Sequence, residues 1–354
     1  MKKIVCIMGL FISLFTIPLL AFAGTKTIID DLGLTVEIPI EPKRIIIADL
    51  PPLVHTYYVA NGGIEGLIGG PQNNALVDTM LPKVYPEVKD LNTGFRKDGE
   101  VNIEELLALE PDLILYRSDN AQSGEMIRNT GVPAVAFQTF NMNGGNTVAP
   151  VVAWLETLGQ ILNKEEQTER LKRQAYESLG IVQSRMWNIP EEEKVRILYF
   201  NGLSADENIL KVSGKGLFGY FWAEIAEAND VAAKDINGAK QISIEQLYEY
   251  NPQVIFMTFS KSTPQDVMNN PLFADIDAVK NKRVYQAPLG MFSWYGPSTD
   301  VPVSFLWHAK MMYPEYFKDI NIVQVTKEHY KKNYNYDITE ADIEFMFGNS
   351  LEVQ

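Results

Sequence analysis

Short apolar runs alternate with helical patterns along most of the chain. Arg44-Ile45-Ile46-Ile47-Ala48 is the first such run. Asp112 to Tyr116, Ala134 to Phe137, Val195 to Phe200, Gln253 to Thr258 and Arg283 to Gln286 follow. Each is continuous rather than alternating, the mark of a strand covered on both faces. The pattern therefore predicts an α/β fold with largely parallel sheets. Lys164 to Trp187 stands apart. It has no Pro, carries charge on much of its face, is weakened only at Gly180, and ends at Asn188-Ile189-Pro190. At about 1.5 Å per residue it would reach about 35 Å, enough for a strut between two lobes. An ordinary long surface helix is the alternative.

An internal echo favours the strut. Asn102-Ile103-Glu104-Glu105-Leu106 leads to Pro111-Asp112-Leu113-Ile114-Leu115, and Ser243-Ile244-Glu245-Gln246-Leu247 leads to Pro252-Gln253-Val254-Ile255-Phe256. Each copy opens with a polar cap residue and carries Glu or Gln three positions later, the capping-box pattern. Each then meets a Pro that stops the helix before a buried strand. One copy lies on each side of the long helix. The expected organisation is a leader over 1–23, a first lobe over 24–160, a connecting helix over 161–189 and a second lobe over 190–354. Both lobes are expected to be Rossmann-like.

Composition narrows the function classes. Of 354 residues, 46% are hydrophobic and 21% charged, which excludes a disordered chain and a polytopic membrane protein. The formal net charge of −14 disfavours nucleic acid and anionic lipid as main partners, because both need local positive charge. One Cys and three His leave little for a zinc cage or a thiol active site. Lys2-Lys3, the apolar stretch Ile4 to Leu20 broken at Pro18, and Ala21-Phe22-Ala23 together fit a signal peptide cut before Gly24. A membrane anchor is the alternative. Cys6 lies too early for lipoprotein acylation, so a soluble periplasmic product is expected, resting on an apolar core without disulfides.

Several segments, taken in order, resemble the periplasmic substrate-binding proteins of iron–siderophore, haem and vitamin B12 ABC importers, the helical-backbone class. Pro42-Lys43-Arg44-Ile45-Ile46 is similar to that family's entry into its first strand, and Gly62 through Ile68-Gly69 to its second. Asn102 to Leu115 resembles its helix-and-strand signature. Ala228-Asn229-Asp230-Val231-Ala232 resembles a short segment of its second lobe. Trp294-Tyr295-Gly296-Pro297-Ser298, Trp307-His308-Ala309-Lys310 and Tyr313-Pro314 resemble its closing region. The resemblance implies two lobes on one rigid helix, with the ligand held in the cleft between them and a modest tilt on closure. It also implies a docking Glu on each lobe tip, fitting a basic pocket on an inner-membrane permease that works with its ATPase. Glu104 and Glu245 match those positions. Both fall in the first turn of a helix, where a carboxylate is favoured in any case.

Ligands of open α/β sheets bind beyond the carboxyl ends of strands. That rule selects Asp49 to Leu53 with His55, then Tyr116-Arg117-Ser118, then Gln138-Thr139-Phe140-Asn141. In the second lobe it selects Phe200-Asn201-Gly202, Thr258-Phe259-Ser260 and Met291 to Tyr295. Among these, Arg117, Tyr116, Trp294, Tyr295, His55, Phe140 and Asn201 are the candidate ligand contacts. Arg96 joins them, because Gly94-Phe95-Arg96 resembles the Gly-x-Arg stretch of hydroxamate-siderophore binders, with two more residues before the helix. A guanidinium can take two oxygens of an iron chelate at once. An ion pair with a nearby acid is the alternative for Arg117. Core packing is the alternative for Trp294, Tyr295 and His55. Haem-binding relatives often place an iron-ligating Tyr near position 95, where this chain has Phe, although Tyr116, Tyr295 or His55 could supply that bond. His308 and His329 are not expected to be ligands. The expected cargo is a small metal chelate of the ferric-siderophore type; haem, a corrinoid, a nickel chelate and molybdate are the alternatives. No resident cofactor is expected, and the protein is expected to be a monomer. A secreted hydrolase is the rival class. No Gly-x-Ser-x-Gly elbow, Walker-type loop or zincin pair supports it.

Overall fold

The computed structural model describes residues 24–348, apart from 72–73, 98, 140–147, 205–208 and 259–261. The leader over 1–23, Phe140-Asn141 and Phe259-Ser260 lie outside the described residues.

The strands are β1 (Thr25–Ile29), β2 (Thr35–Pro39), β3 (Ile45–Ile47), β4 (Leu67–Gly69), β5 (Arg96–Lys97), β6 (Glu100–Val101), β7 (Leu113–Arg117), β8 (Ala134–Phe137), β9 (Arg196–Ser204), β10 (Ile209–Ser213), β11 (Asn229–Asp230), β12 (Ala239–Gln241), β13 (Val254–Met257) and β14 (Val284–Gln286). The first-lobe helices are α1 (Pro51–Asn61), α2 (Asn74–Val77), α3 (Leu81–Val84), α4 (Ile103–Leu107) and α5 (Ala121–Arg128). Between the sheets run α6 (Val148–Leu162) and α7 (Glu165–Met186). Then come α8 (Phe218–Ile225), α9 (Ile244–Tyr250), α10 (Pro264–Asn269), α11 (Asp277–Lys280), α12 (Val301–Met312), α13 (Ile322–Tyr334) and α14 (Glu340–Phe347).

The first sheet is parallel throughout, in the order β4-β3-β7-β8, with Ile45, Ile46 and Ile47 opposite Leu113, Ile114 and Leu115. Alternate residues feed two apolar clusters. Ile45, Ile47, Leu113 and Leu115 join the main one, while Ile46, Ala48, Ile114 and Tyr116 face α4 and α5 in a smaller one. That is why these strands read as unbroken apolar runs.

The second sheet has the order β12-β10-β9-β13-β14, with β11 beside β9. β11, β9, β13 and β14 are parallel, as expected, while β9 continues past Phe200 to Ser204 and pairs there with β10, which runs antiparallel to β9 and to β12. Asn201-Gly202 therefore lies within a strand rather than in a loop. The strand passes a register irregularity here, and Gly202 has a φ of 150°, which a side chain would resist.

α7 spans 22 residues and buries Thr168, Leu171, Ala175, Ser178, Val182 and Met186, a stripe at three- and four-residue spacing. It packs against α6 and α12, so the main cluster passes without interruption from β3 and α1 through α6 and α7 to α12. A shared core of this kind resists large rotation between lobes, because packed interiors do not deform continuously. Among the described residues, no helix is long and apolar enough to cross a membrane.

The echo survives in backbone detail. Asn102 and Ser243 cap α4 and α9, accepting from the N–H of Glu105 and Gln246. Glu110 (φ 49°) and Asn251 (φ 35°) hold equivalent left-handed positions just before Pro111 and Pro252. The reciprocal half of the capping box is taken elsewhere: Lys97 holds the Glu105 carboxylate at 2.6 Å, and the Gln246 amide donates to the Tyr250 hydroxyl. Complete boxes occur instead at Thr263 with Asp266 and at Thr339 with Asp342.

The last two helices return across the seam between lobes. Lys83 of α3 pairs with Asp342 of α14 at 2.7 Å and sits over the Phe345 ring. The Leu289 N–H donates to the Met346 carbonyl, Phe347 packs edge-on against Trp294, and Asn333 of α13 donates to Gln174 of α7.

Asp230 gives a pH-dependent prediction. One carboxylate oxygen accepts from the Ala232 N–H, and the other is buried without a hydrogen-bond partner. Burial pushes its pKa up to about 7, against the Ala232 and Ala233 N–H groups. The folded state thus holds a proton that the unfolded state has lost, so stability falls as pH rises from about 4 to about 7. Asp230→Asn is expected to stabilise by roughly 1–3 kcal/mol at pH 8 and by little at pH 4, read from urea melts at both values. Equal effects at the two pH values would refute this account.

Candidate functional site

Asp49 follows the carboxyl end of β3 and reaches the carboxyl end of β7. One Asp49 oxygen accepts the Arg117 N–H at 2.8 Å, tying the end of β3 to the end of β7. The other oxygen is buried with no hydrogen-bond partner, as is the Thr139 hydroxyl just past β8. Burial pushes the Asp49 carboxyl above its usual range, against the Arg117 N–H and the charges of Arg117 and Arg96. The Arg117 side chain pairs with Asp119 at 3.0 Å. The half-buried Arg96 guanidinium donates to the carbonyls of Ala48 and Gly99. Two arginines and two aspartates, Arg96, Arg117, Asp49 and Asp119, therefore meet at the carboxyl ends of β3 and β7.

His55 lies one turn into α1 and is fully buried. It bridges the lobes, stacking on Phe292 at 5.5 Å with its Nδ1 3.5 Å from the Thr299 hydroxyl. Its Nε2 is buried without a partner. Burial, only partly offset by Asp300 and the Pro297 backbone, lowers its pKa to about 4, so the ring is neutral near pH 7. A second tie across the seam runs from the Met80 N–H to the Gly290 carbonyl at 2.8 Å.

The other candidates are placed differently. Tyr116 is fully buried in the cluster facing α4 and α5, and Arg128 donates to its hydroxyl. Its neighbour Arg117 has the opposite strand parity and reaches the site. Trp294 is fully buried between Trp307 and Phe347, with its indole N–H on Asp300. Tyr295 is buried too, its hydroxyl 2.6 Å from that of Ser213. These three rings fill the lobes rather than line a mouth, which corrects the expectation for them. Asn201 is half-buried within β9, accepting from the Thr258 hydroxyl at 3.3 Å. Phe140 is outside the described residues.

Glu104 and Glu245 are both exposed, in the first turns of α4 and α9. Hydrogen bonds from Ser243 and from its own N–H keep the Glu245 carboxyl below the usual range.

Sequence reasoning missed the network behind the seam. Asp300 is fully buried and accepts from the Met291 N–H, the Trp294 indole and the hydroxyls of Tyr330 and Tyr334, with His329 Nε2 at 3.4 Å. Burial pushes its carboxyl up, but His329, Trp294 and Tyr334 more than offset this and hold it below its usual range. The signal in the sequence was a lone Asp before a mostly apolar helix, with Tyr330 and Tyr334 one turn apart. His308 is buried and stacks on Trp222 at 4.3 Å.

Among the described residues no three His, Cys, Asp or Glu side chains converge to hold a metal ion. A profile of the periplasmic binding proteins matches residues 59–289. The chain belongs to that family. Its members are the substrate-binding proteins of ABC importers, not enzymes. A curated relative, the molybdate-binding protein MolA of Haemophilus influenzae, is 28% identical over 256 residues, covering 67% of this chain and 70% of its own. MolA solved with molybdate superimposes with a TM-score of 0.76 at 23% identity, over 89% of this chain and 99% of that one. A periplasmic solute-binding protein from Veillonella parvula gives 0.82 at 22% identity, over 94% and 99%. CeuE of Helicobacter pylori with Ni(II) bound gives 0.70 at 22%, over 91% and 100%. These structures share the two-lobed fold with this periplasmic binding protein.

Proposed function

We propose that this binding protein works in the periplasm as a monomer released from its leader. It captures a metal chelate of the ferric-siderophore type at the seam and delivers it to an inner-membrane ABC permease with its ATPase. The observation that carries the choice of cargo is the mixed charge around Asp49. Arg96 and Arg117 suit the anionic oxygens of a chelate. The unpartnered Asp49 oxygen and Thr139 hydroxyl suit the polar hydrogens and oxygens of its organic frame. With few protein ligands within reach, a metal has to bring most of its own coordination shell.

A bare oxyanion is the second reading, favoured by the similarity to MolA. Two features weigh against it. A buried carboxylate faces the place where the anion would sit. The first turn of α1 begins Pro51-Pro52, which removes two of the N–H groups that a helix start offers an anion.

The test is the protein purified from an iron-limited culture and titrated with ferric hydroxamate, ferric citrate, haem, cobalamin and molybdate. A coloured protein that prefers a ferric chelate is expected. Arg96→Ala is expected to weaken that binding about 10- to 100-fold, the loss of one or two charge-assisted hydrogen bonds, with Arg96→Lys retaining part of it. A colourless protein that binds molybdate more tightly than any chelate would overturn the reading.

A further inference from the structure

Beside Glu245 the second lobe opens a concavity of about 710 Å³. Its floor is made of buried apolar side chains, Leu210, Ile242 and Phe273. Ile244 and Leu272 line it together with the polar Gln241 and Ser243, and Leu272 is left 49% exposed. Glu245 stands on the rim. The hydrogen bonds that Leu272 makes are from its backbone alone: its N–H donates to Asn270, and its carbonyl accepts from Tyr248. Among the described residues, Leu272 is outside the apolar clusters of the core. The equivalent tip of the first lobe has another character, with Glu104 flanked by the ion pair of Lys97 and Glu105.

We propose that this concavity seats an apolar side chain of the permease, carried next to the cation that meets Glu245. The inference rests on the proposed delivery to a permease, with Glu104 and Glu245 docking as the family resemblance implies, and adds a second anchor to one of the two tips. Charge complementarity sets the occupant. An exposed carboxylate at the lip of an apolar hollow fits a segment in which Arg or Lys adjoins Leu, Phe or a similar residue. Buried apolar anchors with a charged rim are the usual source of tight association. The two tips are then unequal. The second lobe holds the permease through burial as well as charge, and the first through charge alone.

The experiment places a photoreactive residue at Glu104, Glu245 or Leu272 of the full chain in cells that carry the importer, and identifies the cross-linked peptides. Affinity for the purified permease–ATPase complex is then measured for Leu272→Asp and Leu272→Asn. The expected result is cross-linking of positions 245 and 272 to one permease segment holding a cation beside an apolar residue. Both Leu272 variants should lose at least tenfold in permease affinity, with chelate affinity and melting temperature unchanged. If position 245 cross-links to the permease while position 272 does not and the variants dock normally, the anchor is refuted and the docking role stands. If position 272 cross-links to a second copy of this chain, the anchor is likewise refuted. If neither Glu104 nor Glu245 cross-links to the permease, the docking role fails, and the anchor with it.

Discussion

Replacing Glu104 and Glu245 together with Ala is expected to stop chelate uptake while leaving chelate affinity unchanged. Both side chains are exposed in the first turns of α4 and α9, and those helices open equivalent segments of the two lobes. Neither side chain is buried in the core, and an exposed carboxylate in a first helical turn adds little to folding stability. Fold and cleft should therefore survive. A carboxylate buried against a basic pocket on a partner is different. Its loss leaves an unpaired buried cation and costs about 2–5 kcal/mol per site. Two sites together should reduce uptake at least a hundredfold, with each single variant intermediate. Uptake in cells lacking the native protein, set beside calorimetry on the purified variants, separates the two quantities. Loss of chelate binding with intact permease association would place these glutamates in the ligand site instead.

The largest stability effect is expected at Asp300. Its carboxylate is the shared acceptor of one backbone N–H, one indole and two tyrosine hydroxyls, all buried. Asp300→Ala strands these donors without water and should destabilise by about 3–5 kcal/mol. Asp300→Asn keeps the shape but supplies an N–H where donors already crowd, so an intermediate loss is expected. Gly290 belongs to the same design, since a Cβ there would lie 1.8 Å from an Asp300 oxygen. Urea melts of the three proteins test this. A loss below about 1 kcal/mol for Asp300→Ala would mean that these donors find other acceptors.

Much of the frame was legible because its signals are local. Strand β8 lies where its apolar run predicted, and α7 falls within one residue of the predicted limits at each end. The echo was visible because a cap, a left-handed residue and a Pro recur in the same order. What could not be read was parity and partnership. Tyr116 and Arg117 are neighbours that point to opposite faces of one strand, and a continuous apolar run does not say which face is which. Trp294 and Tyr295 follow a strand, as cleft residues should. Whether such rings meet ligand or core depends on α14 and β10, which are remote in sequence. β10 itself was hidden because Asn201-Gly202 reads as a turn, yet the chain passes through it in extended form. Asp300 was invisible for the same reason as most buried charges. Its donors come from segments up to 34 residues away, and only the fold assembles them.

The crossing of the seam by α13 and α14 sets an order of events. A chain leaving the ribosome N-terminus first exposes α3 and the α7 face long before their cover has been made. The residues that clamp Lys83 and support Trp294 follow far behind them in the chain. Forms ending before Asp342 should therefore be soft, open to proteases and prone to stick together, and the molecule becomes hard only when α14 arrives.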